Sequence, residues 1–169
     1  ADKTTFLFEE NINGIVGPNG SGKSNLVDAV RFVLGEQSSK NLRGDGNMMD
    51  VIFSGSKTRK PAGSASVTLF FDNTDHHLNI AYDEVSIKRV IYKTGENEYY
   101  LNGEKCRLKD ISDLMTDSSA SKESFNIISQ GKIADILSGS SISRRSIIEE
   151  AAGVIKYKKR KEEALRKLD

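Results

Sequence analysis

The 169-residue sequence lacks the features that mark several large classes of protein. It has no uninterrupted apolar run of about 18 residues, the length that a membrane-spanning helix requires. It opens Ala-Asp-Lys-Thr-Thr, without the charged and apolar leader of a secreted protein. Its one cysteine, Cys106, has no partner for a disulfide or for a four-cysteine zinc site. These absences predict a protein of the reducing cytoplasm.

Composition and charge predict one globular domain with a basic C-terminal end. Apolar residues make up 37% and charged residues 29% of the chain, as in soluble globular proteins. A chain of this length buries roughly 70% of the surface that its unfolded form exposes. The net charge of +1 conceals an asymmetry, because residues 1–143 carry −3 and residues 144–169 carry +4. Such a basic segment is usually a solvated helix face, and nucleic-acid contact is the alternative interpretation.

Hydrophobic periodicity predicts an α/β architecture in the first part of the chain. Two short strands, Thr5–Phe8 and Asn11–Val16, precede a glycine-rich turn. A helix over Asn25–Leu34 follows, with apolar residues on nearly all sides, and Gly35 is placed to end it. Between residues 36 and 66 the sequence is largely irregular and rich in Gly, Ser and Asn, which is typical of functional or mobile loops.

The rest of the chain predicts an antiparallel sheet and a long final helix. Asn102-Gly103 is a dipeptide that supplies two positive-φ residues to a tight hairpin. Ser146 and Glu149 form a capping box for a helix that runs to Asp169 and projects about 36 Å at 1.5 Å per residue. We therefore expect a lobe at 1–145 and a projecting helix at 146–169. The other predicted elements are strands at Ala65–Phe71, Val85–Tyr92, Glu98–Leu101, Glu104–Leu108 and Phe125–Ser129, a helix through Leu108, Ile111, Leu114 and Met115, and an amphipathic turn at Ile133–Leu137.

A complete P-loop pattern lies between the second predicted strand and the first helix. Its glycines let consecutive backbone N–H groups converge on phosphate oxygens, and the helix adds its positive N-terminal end. We expect Lys23 to reach the β- and γ-phosphates of a nucleotide and the Ser24 hydroxyl to bind Mg²⁺. Asn25 stands where a dinucleotide-binding turn needs a third Gly or Ala, which disfavours that fold. The expected phosphate-binding set is Gly17, Pro18, Asn19, Gly20, Ser21, Gly22, Lys23, Ser24 and Asn25.

The other parts of a P-loop active site are missing from the sequence. Neither the Asp-x-x-Gly nor the Asn-Lys-x-Asp string of a GTPase occurs. A small-molecule kinase needs a strand that ends in an acidic metal ligand, and the nearest candidates, Asp83 and Glu84, follow a run interrupted by Asn79 in the hairpin region. The segment 137–140, Leu-Ser-Gly-Ser, lacks the second Gly of an ABC signature motif and a downstream strand with Asp-Glu. The chain thus carries half of an active site.

Five further blocks carry a resemblance to a known family. Together with the P-loop they closely resemble, in the same order and over nearly the whole chain, the N-terminal head segment of bacterial SMC proteins, the ATPases of condensin. Several of these blocks are specific to that family rather than to ABC-type ATPases at large. The blocks are Asp28–Gln37, Leu42-Arg43-Gly44, Asp50–Ser56, Ile128–Gly131 and Ile148–Gly153.

The resemblance implies a fold and the rest of the active site. The fold is an ABC-ATPase-like P-loop lobe with an antiparallel β subdomain, and its projecting C-terminal helix starts a coiled coil. In that family both ends of one long chain assemble the head, so the signature motif, metal carboxylate and catalytic glutamate belong to a C-terminal lobe. Gln130 is then the Q-loop glutamine that binds Mg²⁺ and senses the γ-phosphate. Arg43 is the loop arginine that supports head engagement. The implied catalytic set is Lys23, Gln130 and Arg43.

The resemblance also implies an activity and partners. It indicates an ATPase of chromosome condensation and segregation that uses ATP and Mg²⁺ and acts on the nucleoid. The implied partners are a C-terminal lobe of the same protein, a second SMC chain, a kleisin-type subunit and DNA. The chain by itself is expected to be nearly inactive, because loss of one charge-stabilising donor can cost about 10²–10³ in rate and several are missing. The basic cluster at 156–161 either contacts DNA or solubilises the helix.

Two departures from the family pattern bear on these implications. Family members usually begin with a further strand and a Gly-Phe-Lys-Ser-Phe-like stretch, which this sequence does not contain. Gly44-Asp45-Gly46-Asn47 replaces a segment that often carries a basic residue, which weakens the case for a DNA contact there. Three other functions stay open: a DNA-repair ATPase of the same superfamily, an interaction module with an idle phosphate loop, and a nucleotide kinase that uses Asp83 or Glu84.

Overall fold

The computed structural model describes residues 3–9, 12–38 and 47–117, together with Arg145, Tyr157, Lys161, Ala164 and Leu165. Two α-helices, four β-strands and one short 3-10 helix lie within these ranges. In chain order they are helix α1 at Lys23–Val33, the 3-10 helix at Met48–Val51, strands β1 at Ser64–Asp72, β2 at Glu84–Tyr92, β3 at Asn97–Leu101 and β4 at Glu104–Cys106, and helix α2 at Leu108–Asp117.

The four strands form one antiparallel sheet in the order β1-β2-β3-β4. The β3–β4 hairpin turns at Asn102 and Gly103, whose φ values of 49° and 84° are the left-handed pair that a two-residue turn needs. Ser86 N donates to Asn102 Oδ1 at 2.7 Å, which ties this turn to β2. The predicted sheet and hairpin are confirmed, with strand ends shifted by one or two residues. The strand β4 ends at Cys106 and not at Leu108, because Leu108 begins α2.

The core lies on one face of this sheet. Alternate residues of β2 point inward, and Val85, Ile87 and Ile91 are buried there. Residues from the end of α1 and from α2 pack on the same face, so the helix predicted through Leu108 to Met115 is confirmed and covers the sheet. The main cluster joins Val33, Leu34, Leu78, Val85, Ile87, Tyr99, Ile111 and Met115, and a smaller one joins Phe32, Ile52 and Ile91.

Helix α1 ends at a glycine for two separate reasons. Gly35 has a φ of 101°. Glu36 N donates to Arg31 O at 3.1 Å and Gly35 N to Phe32 O at 3.2 Å, which is the hydrogen-bond pattern of a Schellman motif. A Cβ at position 35 would also stand only 2.6 Å from Leu108 Cδ1. The prediction that Gly35 ends the helix is confirmed.

The two halves of α1 differ in burial. Phe32 and Val33 are buried, whereas Val27 is 43% exposed. The expectation of a helix covered on nearly all sides is therefore wrong for the described part of the chain, because the described core reaches only the C-terminal half of α1. The helix also begins two residues earlier than expected, at Lys23.

The β1–β2 loop is organised by one buried amide. The Asn73 side chain is 0% exposed, and its Nδ2 donates to the carbonyl oxygens of Leu78, Ile80 and Tyr82 at 3.3, 3.3 and 2.8 Å. Its Oδ1 accepts a bond from Leu78 N at 2.8 Å, and its backbone N donates to Asp83 O at 2.7 Å. Buried polar groups need such partners. The loop is therefore held by bonds within itself.

The residues before the glycine-rich loop do not form the two predicted strands. Residues 3–9 and 12–18 have no strand conformation, and Asn11 lies outside the described residues. Asn13 Oδ1 accepts a bond from Glu9 N at 3.1 Å, and Asn13 Nδ2 donates to Glu9 O at 2.7 Å. The Asn13 side chain thus makes the two backbone hydrogen bonds of Glu9 that a neighbouring strand would make. A strand needs a neighbouring strand for its hydrogen bonds, and within the described ranges none pairs with these residues. The apolar side chains here are exposed: Phe6 53%, Leu7 89%, Phe8 57%, Ile12 97%, Ile15 47% and Val16 92%.

The later predicted elements fall largely outside the described residues. These are the strand Phe125–Ser129, the turn Ile133–Leu137 and most of the helix at 146–169. Tyr157 and Leu165 are helical and exposed. The boundary at residue 145 stays a prediction. None of the helices in the described part of the chain has the length and apolar character needed to cross a membrane.

Candidate functional site

The P-loop pattern lies where α1 begins. Residues 17–22 are exposed, and the loop turns where Ser21 N donates to Pro18 O at 3.3 Å. Gly20 has a φ of 81°, in the left-handed region that a residue with a Cβ enters at a cost of about 1–2 kcal/mol. Gly22 is the N-cap residue, and its carbonyl accepts a bond from Asn25 N at 2.9 Å. The glycines therefore stand where the turn into the helix requires them.

Positive charge collects at this end of α1. The first turn contains no acidic residue, and a helix N-terminus carries roughly half a positive charge. Lys23 is the first helical residue, and its Nζ reaches back over the loop to donate to Gly17 O at 2.8 Å and Pro18 O at 2.9 Å. An ammonium group and a helix N-terminus thus meet at one exposed glycine-rich loop, an arrangement that suits an anion.

The donor set of this loop fits a nucleotide phosphate with magnesium. Backbone N–H groups and an ammonium group are the donors that phosphate oxygens accept. Ser24, half-buried in the first turn of α1, has the hydroxyl that Mg²⁺ takes at such sites. Within the described ranges no group of three or more His, Cys, Asp or Glu side chains could hold a metal ion.

The structure brings together only part of the expected site. The nine residues from Gly17 to Asn25 form one loop and the start of one helix. Arg43 and Gln130 lie outside the described residues, so their placement near a nucleotide stays a prediction. The same holds for the proposed basic cluster at 156–161, of which only Tyr157 and Lys161 are described.

The acidic residues of the kinase alternative belong to the β1–β2 loop and its junction with β2. Asp83 and Glu84 are both exposed. The Asp83 carboxylate lies 3.9 Å from His76 Nε2, and its backbone carbonyl accepts the bond from Asn73 N. Asp83 therefore takes part in the local structure of this loop.

One buried cation is not among the residues that the sequence predicts to be functional. Arg89 of β2 is 1% exposed. Its position has the same parity along the strand as Val85, Ile87 and Ile91, which face the core. A charged residue at an inward position requires buried partners, because an uncompensated charge is costly to desolvate. The alternation of β2 is therefore the sequence signal that identifies this residue.

Comparison with known proteins gives concordant matches in sequence. Residues 1–141 match the family model described as RecF/RecN/SMC N terminal domain. The chain is 55% identical over 168 residues to the Chromosome partition protein Smc of Bacillus subtilis, and 53% identical over 169 residues to that of Mycobacterium tuberculosis. These alignments cover 99% and 100% of this chain but 14% of each relative. The chain thus spans only a small part of the length of these relatives.

Solved structures are similar in fold as well. One, from work on ATP-driven dimerization and DNA-stimulated activation of SMC ATPases, has a TM-score of 0.78 and 40% identity, over 85% of this chain and 86% of that chain. Another is the Smc head domain of Pyrococcus furiosus with an extended coiled coil, bound to the C-terminal domain of ScpA. Its TM-score is 0.76 at 40% identity, over 89% of this chain and 38% of that chain.

Proposed function

The chain belongs to the RecF/RecN/SMC N-terminal domain family, and we propose that it is the N-terminal part of an SMC ATPase head. Its fold is an α/β P-loop ATPase lobe. In the complete head it binds ATP with Mg²⁺, and hydrolysis drives head engagement in chromosome condensation and segregation. The name that its relatives share, Chromosome partition protein Smc, supports this role.

The observation that carries the proposal is the loop at the start of α1. The ammonium group of Lys23 lies over the exposed turn, held by Gly17 O and Pro18 O at 2.8 and 2.9 Å. Both partners are neutral carbonyl oxygens, which a phosphate oxygen with its negative charge readily replaces. Nucleotide binding therefore exchanges two local bonds of Lys23 for bonds to the β- and γ-phosphates.

The expected site residues have separate roles in this proposal. The backbone N–H groups between Gly17 and Asn25 hold phosphate oxygens, and Lys23 stabilises the charge on the transferred phosphoryl group. The Ser24 hydroxyl and Gln130 hold the Mg²⁺ ion, which neutralises phosphate charge when it is bound with ATP. Arg43 supports the engagement of two heads at the nucleotide.

The exposed apolar residues before the loop support a role for a second lobe. Leu7, Ile12 and Val16 are 89%, 97% and 92% exposed, and they lie within one short stretch of the sequence before the P-loop. A concentration of large exposed apolar side chains marks a site of protein contact. We assign it to the C-terminal lobe of the same protein, which also provides the signature motif, metal carboxylate and catalytic glutamate. The chain alone then binds nucleotide weakly and turns over negligibly.

The proposed partners beyond that lobe follow from the similar proteins. A similar solved head is bound to a domain of ScpA, and another comes from work on ATP-driven dimerization and DNA-stimulated activation. We therefore propose a second SMC chain, a kleisin-type subunit and DNA as partners. Such a protein acts in the cytoplasm, on the nucleoid, and its final helix at 146–169 begins the coiled coil.

The test is nucleotide binding by the complete protein with Lys23→Ala. Removal of a charged hydrogen-bond donor to phosphate costs about 1.5–3 kcal/mol, which is about 10- to 150-fold in Kd. Isothermal titration with ATP and Mg²⁺ measures this change, and ATP hydrolysis is followed on the same samples. Lys60→Ala is the matched control, because it removes one exposed lysine at a distance in sequence from the loop.

Three outcomes decide the proposal. Loss of affinity in Lys23→Ala with normal affinity in Lys60→Ala supports it. Equal affinity in the wild type and in Lys23→Ala contradicts it and leaves an idle loop. Hydrolysis by residues 1–169 alone at the rate of the complete head, abolished by Lys23→Ala, contradicts the assignment of the missing groups to a C-terminal lobe.

A further inference from the structure

Arg89 is the buried charge that joins the sheet to the end of α1. Its Nη1 donates to Phe32 O at 2.8 Å and to Glu36 O at 2.7 Å. Its Nε and Nη2 donate to Asn97 Oδ1 at 3.2 and 3.0 Å. The guanidinium carbon lies 4.2 Å from the ring centre of Phe32 and 5.0 Å from that of Tyr99. We call these contacts the Arg89 clamp.

The clamp uses properties that only an arginine side chain combines. Its planar fork donates in fixed directions to three acceptors and stacks on two aromatic rings at once. Burial lowers the pKa of Arg89, while the negative charge of Glu36 acts in the opposite direction. The group stays protonated, since an arginine is not deprotonated in proteins. The negative end of the α1 dipole, at Phe32 O, adds further stabilisation.

The clamp joins two parts of the chain that are distant in sequence, the end of α1 and the β2–β3 hairpin. Phe32 lies in the last turn of α1, Glu36 follows the Gly35 stop, and Asn97 begins β3. Phe32 and Arg89 are 57 residues apart. Within the described residues the clamp therefore fixes the C-terminal end of α1, and the start of the segment that leads towards Arg43, against β2 and β3.

The other end of the same helix carries Lys23. With 11 residues, α1 is about 16 Å long and behaves as a rigid rod over that distance. A change of its tilt at the clamp therefore moves the phosphate loop at its N-terminus. A misplacement of about 1 Å at a reacting group can cost about 10²-fold in rate.

We propose that Arg89 is a positioning residue for the nucleotide site, which sets the orientation of α1 and of the chain after Gly35 from the sheet side. This inference rests on the proposed function, because it assumes that the loop before α1 binds ATP. Arg89 does not contact the nucleotide. Its effect on ATP passes through the α1 backbone at one end and Lys23 at the other.

The test compares three variants in the complete protein. Arg89→Lys keeps a charge but cannot make all the bonds and stacking contacts of the clamp. Asn97→Leu removes the acceptor of the fork, and Asn97→Asp keeps an acceptor oxygen there. Because Asn97 is exposed, its two variants remain informative if Arg89→Lys does not fold. The readouts are Kd for ATP with Mg²⁺, and KM and kcat for ATP hydrolysis.

Asn73→Ala is the matched control. Asn73 is also fully buried with several hydrogen bonds, but these lie within residues 73–83 and do not reach α1. Its removal is expected to lower stability, and it takes away none of the hydrogen bonds of the clamp. The thermal unfolding midpoint of every variant is measured, so that affinity is compared at a similar loss of stability.

The expected result is a rise of about 2- to 30-fold in Kd and KM for Arg89→Lys, which corresponds to the coupling that such positions carry. Asn97→Leu changes both constants in the same direction, Asn97→Asp restores them, and Asn73→Ala leaves them unchanged. Wild-type constants in both Arg89→Lys and Asn97→Leu overturn the inference. So does an equal rise in Asn73→Ala, since the effect is then one of stability alone.

The proposed function and this inference fail in different ways. A wild-type protein that binds no ATP overturns the proposed function and, with it, this inference. ATP binding that depends on Lys23 but not on Arg89 or Asn97 overturns this inference alone.

Discussion

The two ends of α1 are built in different ways. At the N-terminal end the described loop is exposed, the cap is a glycine without a side-chain bond, and Lys23 holds two neighbouring carbonyl oxygens. At the C-terminal end Phe32 and Val33 are buried, and Gly35 closes a Schellman motif. Arg89 adds two bonds from the sheet to this end. One helix thus has an exposed end and a fixed end.

The two ends therefore serve different properties: the buried C-terminal end contributes to stability, and the exposed N-terminal end to the proposed binding of a ligand. Regions that bind ligands are drawn from the less stable parts of a fold, because they must rearrange when the ligand enters. The fixed end of α1 holds the helix on the sheet without help from a ligand. In the proposed function the exposed end gains its partners when phosphate binds, so the two ends contribute different properties.

The largest expected effect is a cavity beneath the fixed end. Ile87 is 0% exposed in the main core cluster with Val33. Ile87→Ala is expected to lower the free energy of unfolding by about 2–5 kcal/mol. Urea denaturation of a purified head that contains the chain measures this loss. Phe70→Ala, at a residue 68% exposed on the opposite face of the sheet, is the control. Equal losses in the two variants would show that the core is not where the stability lies.

The second prediction concerns the exposed end. ATP with Mg²⁺ at 100 times its Kd is expected to stabilise the head by about 2.7 kcal/mol. In hydrogen exchange, the added protection falls on the amides of residues 17–25. Amides of Phe32 and Val33 change less, because they are already buried and bonded. Protection confined to the C-terminal half of α1 would reverse the comparison.

A third prediction compares glycines near the two ends. Gly20 and Gly35 both have positive φ, 81° and 101°, but a Cβ at Gly20 meets nothing within 4 Å. Gly20→Ala therefore costs the backbone strain alone, about 1–2 kcal/mol. Gly35→Ala adds the contact with Leu108 and is expected to cost more, as unfolding midpoints will show. Leu108→Ala added to Gly35→Ala relieves the contact but keeps the strain. An equal loss of stability in the two variants would mean that the Leu108 side chain moves away from the new Cβ without an energetic penalty.

What the sequence predicted correctly rests on residues that are close together in the chain. Asn102 and Gly103 specify a hairpin by their own φ preferences, and Gly35 ends a helix by its own. The position of the P-loop directly before α1 follows in the same way. These features need no knowledge of the rest of the fold.

What the sequence could not predict depends on distant partners. The hydrogen bond between Arg89 and Phe32 O joins residues 57 positions apart, and neither residue type predicts it. The predicted strand at Thr5–Phe8 is wrong because hydrophobic alternation reports a side chain's preference, whereas a strand also needs a neighbour. Val27 is exposed for a related reason, since an apolar position is buried only where something covers it.

The smallest expected effect lies on the other face of β3. Glu98 points away from the Arg89 clamp, by strand alternation with Asn97 and Tyr99. The bond from Lys105 Nζ at 2.8 Å, followed by bonds from the hydroxyl groups of Tyr100 and Tyr92, lowers the pKa of Glu98 from 4.5 to about 2. A carboxylate whose pKa is lower in the folded state stabilises the fold at pH values above its pKa in the unfolded state. That contribution disappears as the pH falls through its pKa in the folded state.

The stability difference between wild type and Glu98→Gln is therefore expected to be constant above pH 4.5 and to shrink as the pH falls towards 2. Urea unfolding midpoints across this range measure it, with Glu104→Gln, an exposed glutamate of β4, as the control. The same pH dependence in both variants would contradict the assignment to Glu98. Because Glu98 lies on the face away from α1, Glu98→Gln leaves the Kd for ATP unchanged. A raised Kd in this variant would mean that the sheet influences the nucleotide site through more than the clamp.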